Sequence, residues 1–234
     1  MNLVDGNRPL RVLDKVLQGG LGLGNVGVVM AQHGLGKVAV LTSIAIDHAM
    51  DGKNALHVSV GKSVSDTRAF HDEVLHEILG SMSLDPRLPS PATIVERHKQ
   101  IYSFPDPRGF TLEKLDHTVA FLTEHADFAP AMIELSGWPD FDQVDPETMA
   151  GLKQLAMRWN CEIWVSAHTH HGAACDERGI PLTILRCIDD IEVLLALEPE
   201  ADHVNLKFLK THGEPRSSGI HLEFDPNSML IRWR

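Results

Sequence analysis

At 234 residues, 43% of them apolar, the chain is long enough for one large domain, residues 1–234, with a substantial core. Lys and Arg total 21 against 32 Asp and Glu, and the net charge of −11 disfavours a broad nucleic-acid or anionic-membrane surface. Cys161, Cys175 and Cys187 are scattered and odd in number, which points to a reducing compartment. Since there is no basic and apolar leader, and no apolar run near the ~20 residues of a membrane span, a cytoplasmic protein is expected.

Leu10, Val12, Leu13, Val16 and Leu17 are spaced as in a short helix over 8–18. The glycine-rich stretch 19–25 reads as a turn. Its Gly22-x-Gly24-x-x-Gly27 spacing is not a dinucleotide fingerprint, because the glycines precede a strand instead of following one. Val26–Met30 is an apolar strand, and a helical pattern over 38–50 ends at Asp51-Gly52. Ala55–Val60 reads as a buried strand. Ser65 and Asp66 can cap a helix that reaches about Leu79 through Phe70, Val74, Leu75 and Ile78. Residues 82–110 hold Pro86, Pro89, Pro91, Pro105 and Pro107 and read as an irregular insertion with one short strand at 101–104. Thr111 caps a helix through His125. Met132–Ser136 is a strand, Asp145 or Pro146 opens a further helix, and 161–165 is the next strand. From Ile191 the pattern becomes short strands at 191–197, 204–209, 220–224 and 229–233. Alternating strands and helices followed by a meander predict an α/β fold: a mainly parallel central sheet flanked by helices, with an antiparallel C-terminal extension.

The segment between the first strand and its helix carries the chemistry. Ala31-Gln32-His33-Gly34-Leu35-Gly36-Lys37-Val38 keeps the core of the phosphate-loop pattern G-x-x-x-x-G-K-[ST], with Ala31 for the first glycine and Val38 for the hydroxyl residue. Such a loop aims backbone N–H groups at one point, and the helix N-terminus adds partial positive charge there. His33, Gly34, Leu35, Gly36, Lys37 and Val38 are therefore the candidate nucleotide-binding residues. Lys37 also has a purely structural reading, in which it neutralises backbone oxygens of the loop.

Taken with their order along nearly the whole chain, these pieces resemble the RecA-like P-loop ATPases, in the branch of the KaiC-like and DnaB-like helicase proteins. Leu13-Asp14-Lys15-Val16-Leu17-Gln18-Gly19-Gly20-Leu21 is similar to that branch's lead-in. Gly34-x-Gly36-Lys37 resembles its phosphate loop, and Leu56–Val60 its second strand. Val165-Ser166-Ala167-His168 resembles the strand that ends in a polar sensor residue. Val204–Gly213 resembles the segment ending in Lys-x-Arg-Gly, which reaches a neighbouring subunit's nucleotide. The resemblance implies a RecA-like P-loop NTPase fold, ATP or another nucleotide as ligand, and self-association or a protein partner.

The departures from the family fall on its catalytic parts. Gly61-Lys62 stands where the resemblance implies a water-polarising Glu pair, and Ser136 where it implies a Mg²⁺-ordering Asp. Val38 removes the loop's own metal ligand, and His212 replaces the Arg that partners the lysine matching Lys210. Mg²⁺ is accordingly doubtful and hydrolysis is expected to be slow or absent. Glu134, two residues before Ser136 on the same strand face, is the one candidate substitute carboxylate. The expected function is that of a degenerate P-loop protein that binds nucleotide weakly or regulates through protein contacts. The alternatives are a slow ATPase using Glu134 and a trans-acting Lys210, and a ligand-free homo-oligomeric scaffold. Lys210 and His212 are the candidate interface residues. His168, His170, His171 and Cys175 have zinc-ligand chemistry, but their spacing fits no four-ligand pattern, so no metal is assigned there. Trp138, Trp159 and Trp164 read as core or interface residues.

Overall fold

A computed structural model describes residues 16–17, 19–82, 89–200, 203–212, 222–225 and 230–233. The helix read at 8–18 and the Val204–Gly213 segment's last residue lie largely or wholly outside these. The strands are β1 (Val26–Ala31), β2 (Ala55–Val60), β3 (Lys99–Phe104), β4 (Met132–Ser136), β5 (Glu162–His168), β6 (Val193–Pro199), β7 (Val204–Thr211), β8 (Leu222–Asp225) and β9 (Leu230–Trp233). The helices are α1 (Lys37–Met50), α2 (Val64–Gly80), α3 (Pro91–His98), α4 (Leu112–His125), α5 (Pro146–Trp159) and the short α6 (Leu182–Leu185).

All nine strands form one sheet in the order β3-β2-β4-β5-β1-β6-β7-β8-β9. From β3 to β6 every neighbour is parallel, and from β6 to β9 every neighbour is antiparallel. The mainly parallel α/β sheet with an antiparallel C-terminal extension is therefore present. Helices cover both faces of the parallel part, which is why β1, β2 and β4 are buried along their whole length and read as unbroken apolar runs. On one face α1, α2 and α3 bury Leu41, Ala45, Val74, Ile78 and Val95 against Val29, Trp164 and Leu195. On the other, α4 and α5 bury Leu115, Val119, Met149 and Leu152 against Val28, Val58, Ile133 and Val165.

Local chemistry sets the helix starts. Ser63 Oγ accepts from Asp66 N (3.1 Å), Thr111 Oγ1 from Lys114 N (3.2 Å) and an Asp145 carboxylate oxygen from Thr148 N (2.6 Å), each satisfying an orphan N–H of its helix. The cap of α2 is Ser63, two residues ahead of the Ser65 read from sequence. α1 differs: its cap is Gly36 in the left-handed region (φ 86°), with no side-chain cap and no acidic residue in its first turn.

The described part of the segment, 89–110, is more regular than its prolines suggest. Pro91 is the first residue of α3, where its missing N–H costs nothing. The following strand runs from Lys99, not Ile101, and pairs with β2 through all six of its residues. β5 likewise continues past Val165 to His168. Among the described residues, no helix is long and apolar enough to cross a membrane.

Candidate functional site

A cleft of about 560 Å³ opens at the carboxyl ends of four adjacent parallel strands. β1 leads into His33, Gly34, Gly36, Lys37 and Val38. β2 contributes Val60 and, just beyond its end, Lys62. β4 contributes Ser136 and Gly137, and β5 contributes Ser166 and His168. Asp140, Asp142 and His170 complete the rim. The carboxyl ends of parallel strands are where open α/β sheets place ligands, because strand ends and helix N-termini converge there.

The loop after β1 carries two conformationally special glycines. Gly34 and Gly36 both have left-handed φ, 80° and 86°. At Gly36 a Cβ would stand 2.1 Å from Cε1 of Phe224 in β8, so glycine is demanded by space as well as by conformation. Leu35, between the two glycines, packs partly against the core. Among the described residues, Lys37 Nζ has no hydrogen-bond or ion-pair partner. Burial, together with the charge of nearby Lys62, pulls the Lys37 pKa below the usual lysine value. Lys62 Nζ also lies 5.9 Å from the centroid of the Phe70 ring.

Three imidazoles also line the cleft. The His33 and His168 rings are 4.8 Å apart and the His168 and His170 rings 4.7 Å apart. His168 is held below the usual histidine value, first by burial and then by the charges of Lys37, His33 and His170. His170 Nε2 is 2.7 Å from an Asp142 carboxylate oxygen. Cys175 is exposed, and its Sγ donates to the Ala173 carbonyl.

Glu134 does not line the cleft. It is fully buried beneath the floor at Ser136, on the α1 and α2 side of the sheet. Thr42 Oγ1 of α1 donates to its Oε1 (2.8 Å), and its Oε2 faces His57 Nδ1 of β2 (3.0 Å) and His71 Nε2 of α2 (3.4 Å). His57 Nδ1 and His71 Nε2 are 2.7 Å apart, and His57 Nε2 is 3.1 Å from Ser136 Oγ. Burial opposes ionisation of Glu134, but the two imidazoles outweigh it and hold the carboxyl at about 2. His71 is pushed below the usual histidine value by burial, against the pull of Glu134. The sequence reading missed His57 and His71. The signal was available: His71 sits on the buried stripe of α2 with Thr67, Val74, Leu75 and Ile78, and His57 interrupts an apolar strand.

Lys210 and His212 are not among the cleft's lining residues. Lys210 Nζ donates to the Ile188 carbonyl at 2.7 Å, and burial lowers its pKa. His212 has a left-handed φ of 47°, and its Nε2 lies 2.8 Å from the Leu17 carbonyl. Both side chains therefore have partners within their own chain.

Fold and cleft together define an open, mostly parallel α/β protein with a cleft at the carboxyl edge of its central strands, lined by lysine, histidine and aspartate side chains. No protein-family model and no curated protein matches the chain.

Proposed function

We propose that the protein is a RecA/KaiC-like P-loop protein with degenerate catalytic motifs. In this reading it binds the phosphate end of ATP or another nucleotide weakly and acts through protein contacts, self-association among them. The observation that carries the reading is the meeting of Lys37, without a described partner, with the uncapped N-terminus of α1 behind two left-handed glycines. Phosphate oxygens accept from the amides of 33–38, and the Lys37 and Lys62 ammonium groups balance their charge. The position of the loop, on the central strand β1 and at the carboxyl edge of the sheet, supports the same reading.

The cleft is poor in the parts that phosphoryl transfer needs, which are placed cations and a placed nucleophile. Val38 offers no metal ligand, Ser136 stands at the end of β4, and Glu134 is engaged below the floor by Thr42, His57 and His71. The reading is therefore one of binding without efficient turnover. Calorimetric titration with ATP, ADP and pyrophosphate, with and without Mg²⁺, tests it. Binding that changes little with Mg²⁺ and is lost in Lys37→Ala is expected. No heat from any of the three up to about 1 mM, with the protein folded, overturns the reading. For assembly, light scattering at tens of micromolar should give a mass above the 25.9 kDa monomer. A monomer with and without ATP would remove self-association and leave contacts with a different protein.

A further inference from the structure

We infer that His57, His71 and Glu134 form a buried binding site for a divalent cation of the zinc class. The inference stands apart from the nucleotide reading, because none of the three residues lines the cleft. Among the described residues these three are the group of His, Cys and carboxylate side chains whose ligand atoms converge.

The geometry is that of a nearly assembled ligand set. His57 Nδ1, His71 Nε2 and Glu134 Oε2 are separated by 2.7, 3.0 and 3.4 Å. For a triangle of those sides, a point roughly 1 Å out of its plane lies about 2.0–2.1 Å from all three atoms, the bonding distance of Zn²⁺ to imidazole nitrogen and carboxylate oxygen. Two imidazoles and one carboxylate are a donor set for zinc and its first-row neighbours, whereas Ca²⁺ and Mg²⁺ prefer all-oxygen cages.

Glu134 Oε2 makes no hydrogen bond among the described residues, although the two imidazole nitrogens face it at 3.0 and 3.4 Å. An unpartnered carboxylate oxygen in a fully buried side chain is costly. One divalent cation satisfies all three lone pairs.

The surroundings are built for ligands. Thr42 orients the carboxylate through Oε1 and Ser136 fixes the far nitrogen of His57, the outer hydrogen bonds that metal-bound carboxylates and imidazoles use. Ser136 also lines the cleft, so the group lies one side chain below it. The ion would tie α2 to β2 and β4, directly beneath the cleft floor.

The test uses full-length protein prepared without a polyhistidine tag, stripped with a chelator and titrated with Zn²⁺ and with Co²⁺. One ion per chain is expected, with visible Co²⁺ bands of four- or five-coordinate N/O ligation. Glu134→Gln and His71→Gln should each weaken uptake at least tenfold while circular dichroism shows a folded chain. Uptake that survives unchanged in both variants assigns the ion to surface histidines and overturns the inference. So does a folded wild-type chain that takes up neither ion at tens of micromolar. Should either variant fail to fold, X-ray absorption of the loaded wild type decides: two imidazoles and an oxygen at about 2.0–2.1 Å support the site, and any other ligand set overturns it.

Discussion

Phe224 of β8 occupies the space that a side chain at Gly36 would need, so the ring of a C-terminal strand sets the shape of a loop near the other end of the chain. Gly36→Ala would meet both that ring and a left-handed backbone. A loss of about 2–4 kcal/mol is expected, from the strained φ and the overpacking combined. Urea unfolding of the variant checks it. A loss below 0.5 kcal/mol would mean that Phe224 simply moves aside.

Lys37 illustrates the opposite sign. Its ammonium is partly desolvated and repelled by Lys62, so a neutral side chain of similar length is expected to be tolerated there. Lys37→Met should leave stability within about 1 kcal/mol of wild type, or raise it, while reducing pyrophosphate and nucleotide binding. Parallel thermal melts and calorimetry measure the two effects. A large destabilisation with binding intact would assign the lysine to loop neutralisation instead.

ATP turnover should be very slow or undetectable, given Val38 and Ser136 in the cleft and Glu134 beneath it. A Mg²⁺-dependent rate near ~1 per second, abolished by Lys37→Ala, would contradict this.

At the amino ends of the central strands, Glu162 of β5 accepts from Gly22 N (3.1 Å) and lies 3.4 Å from His48 Nε2. Burial raises its pKa, and the His48 contacts and the Gly22 bond outweigh burial, so the folded value lies below the usual 4.5. A depressed carboxylate contributes stability that is present above the ordinary value and is lost as pH falls through the depressed one. Glu162→Gln should cost about 1–2 kcal/mol at pH 7, with the gap to wild type closing below pH ~4. A gap that stays constant from pH 7 to 3 would show that the charge contributes nothing.

What was legible in the sequence was local. Thr111 caps the helix it was expected to cap, Asp145 caps the helix that it or Pro146 was expected to open, and the α/β alternation followed by a meander is the observed sheet. The helix at Pro91–His98 was obscured because prolines were read as breakers, although Pro91 stands at a helix's first position, where proline is favoured. The buried His57–His71–Glu134 group was illegible for a different reason. Its members come from β2, α2 and β4, and only the placement of β2 beside β4, with His57 opposite Glu134, brings them together. Glu134 was singled out for its nearness to Ser136, but strand alternation places both on one face without saying which of them reaches the cleft.

β1 ends in the loop, yet its partners on both sides come late in the chain: Val26 faces Ile163 of β5, and Gly27 faces Val193 of β6. The loop is synthesised before the strands that hold it. Until β5 and β6 follow, neither edge of β1 has the partner it has in the fold. The shape of this short loop is therefore settled by pairings that close over long stretches of chain, the slow kind of contact in folding.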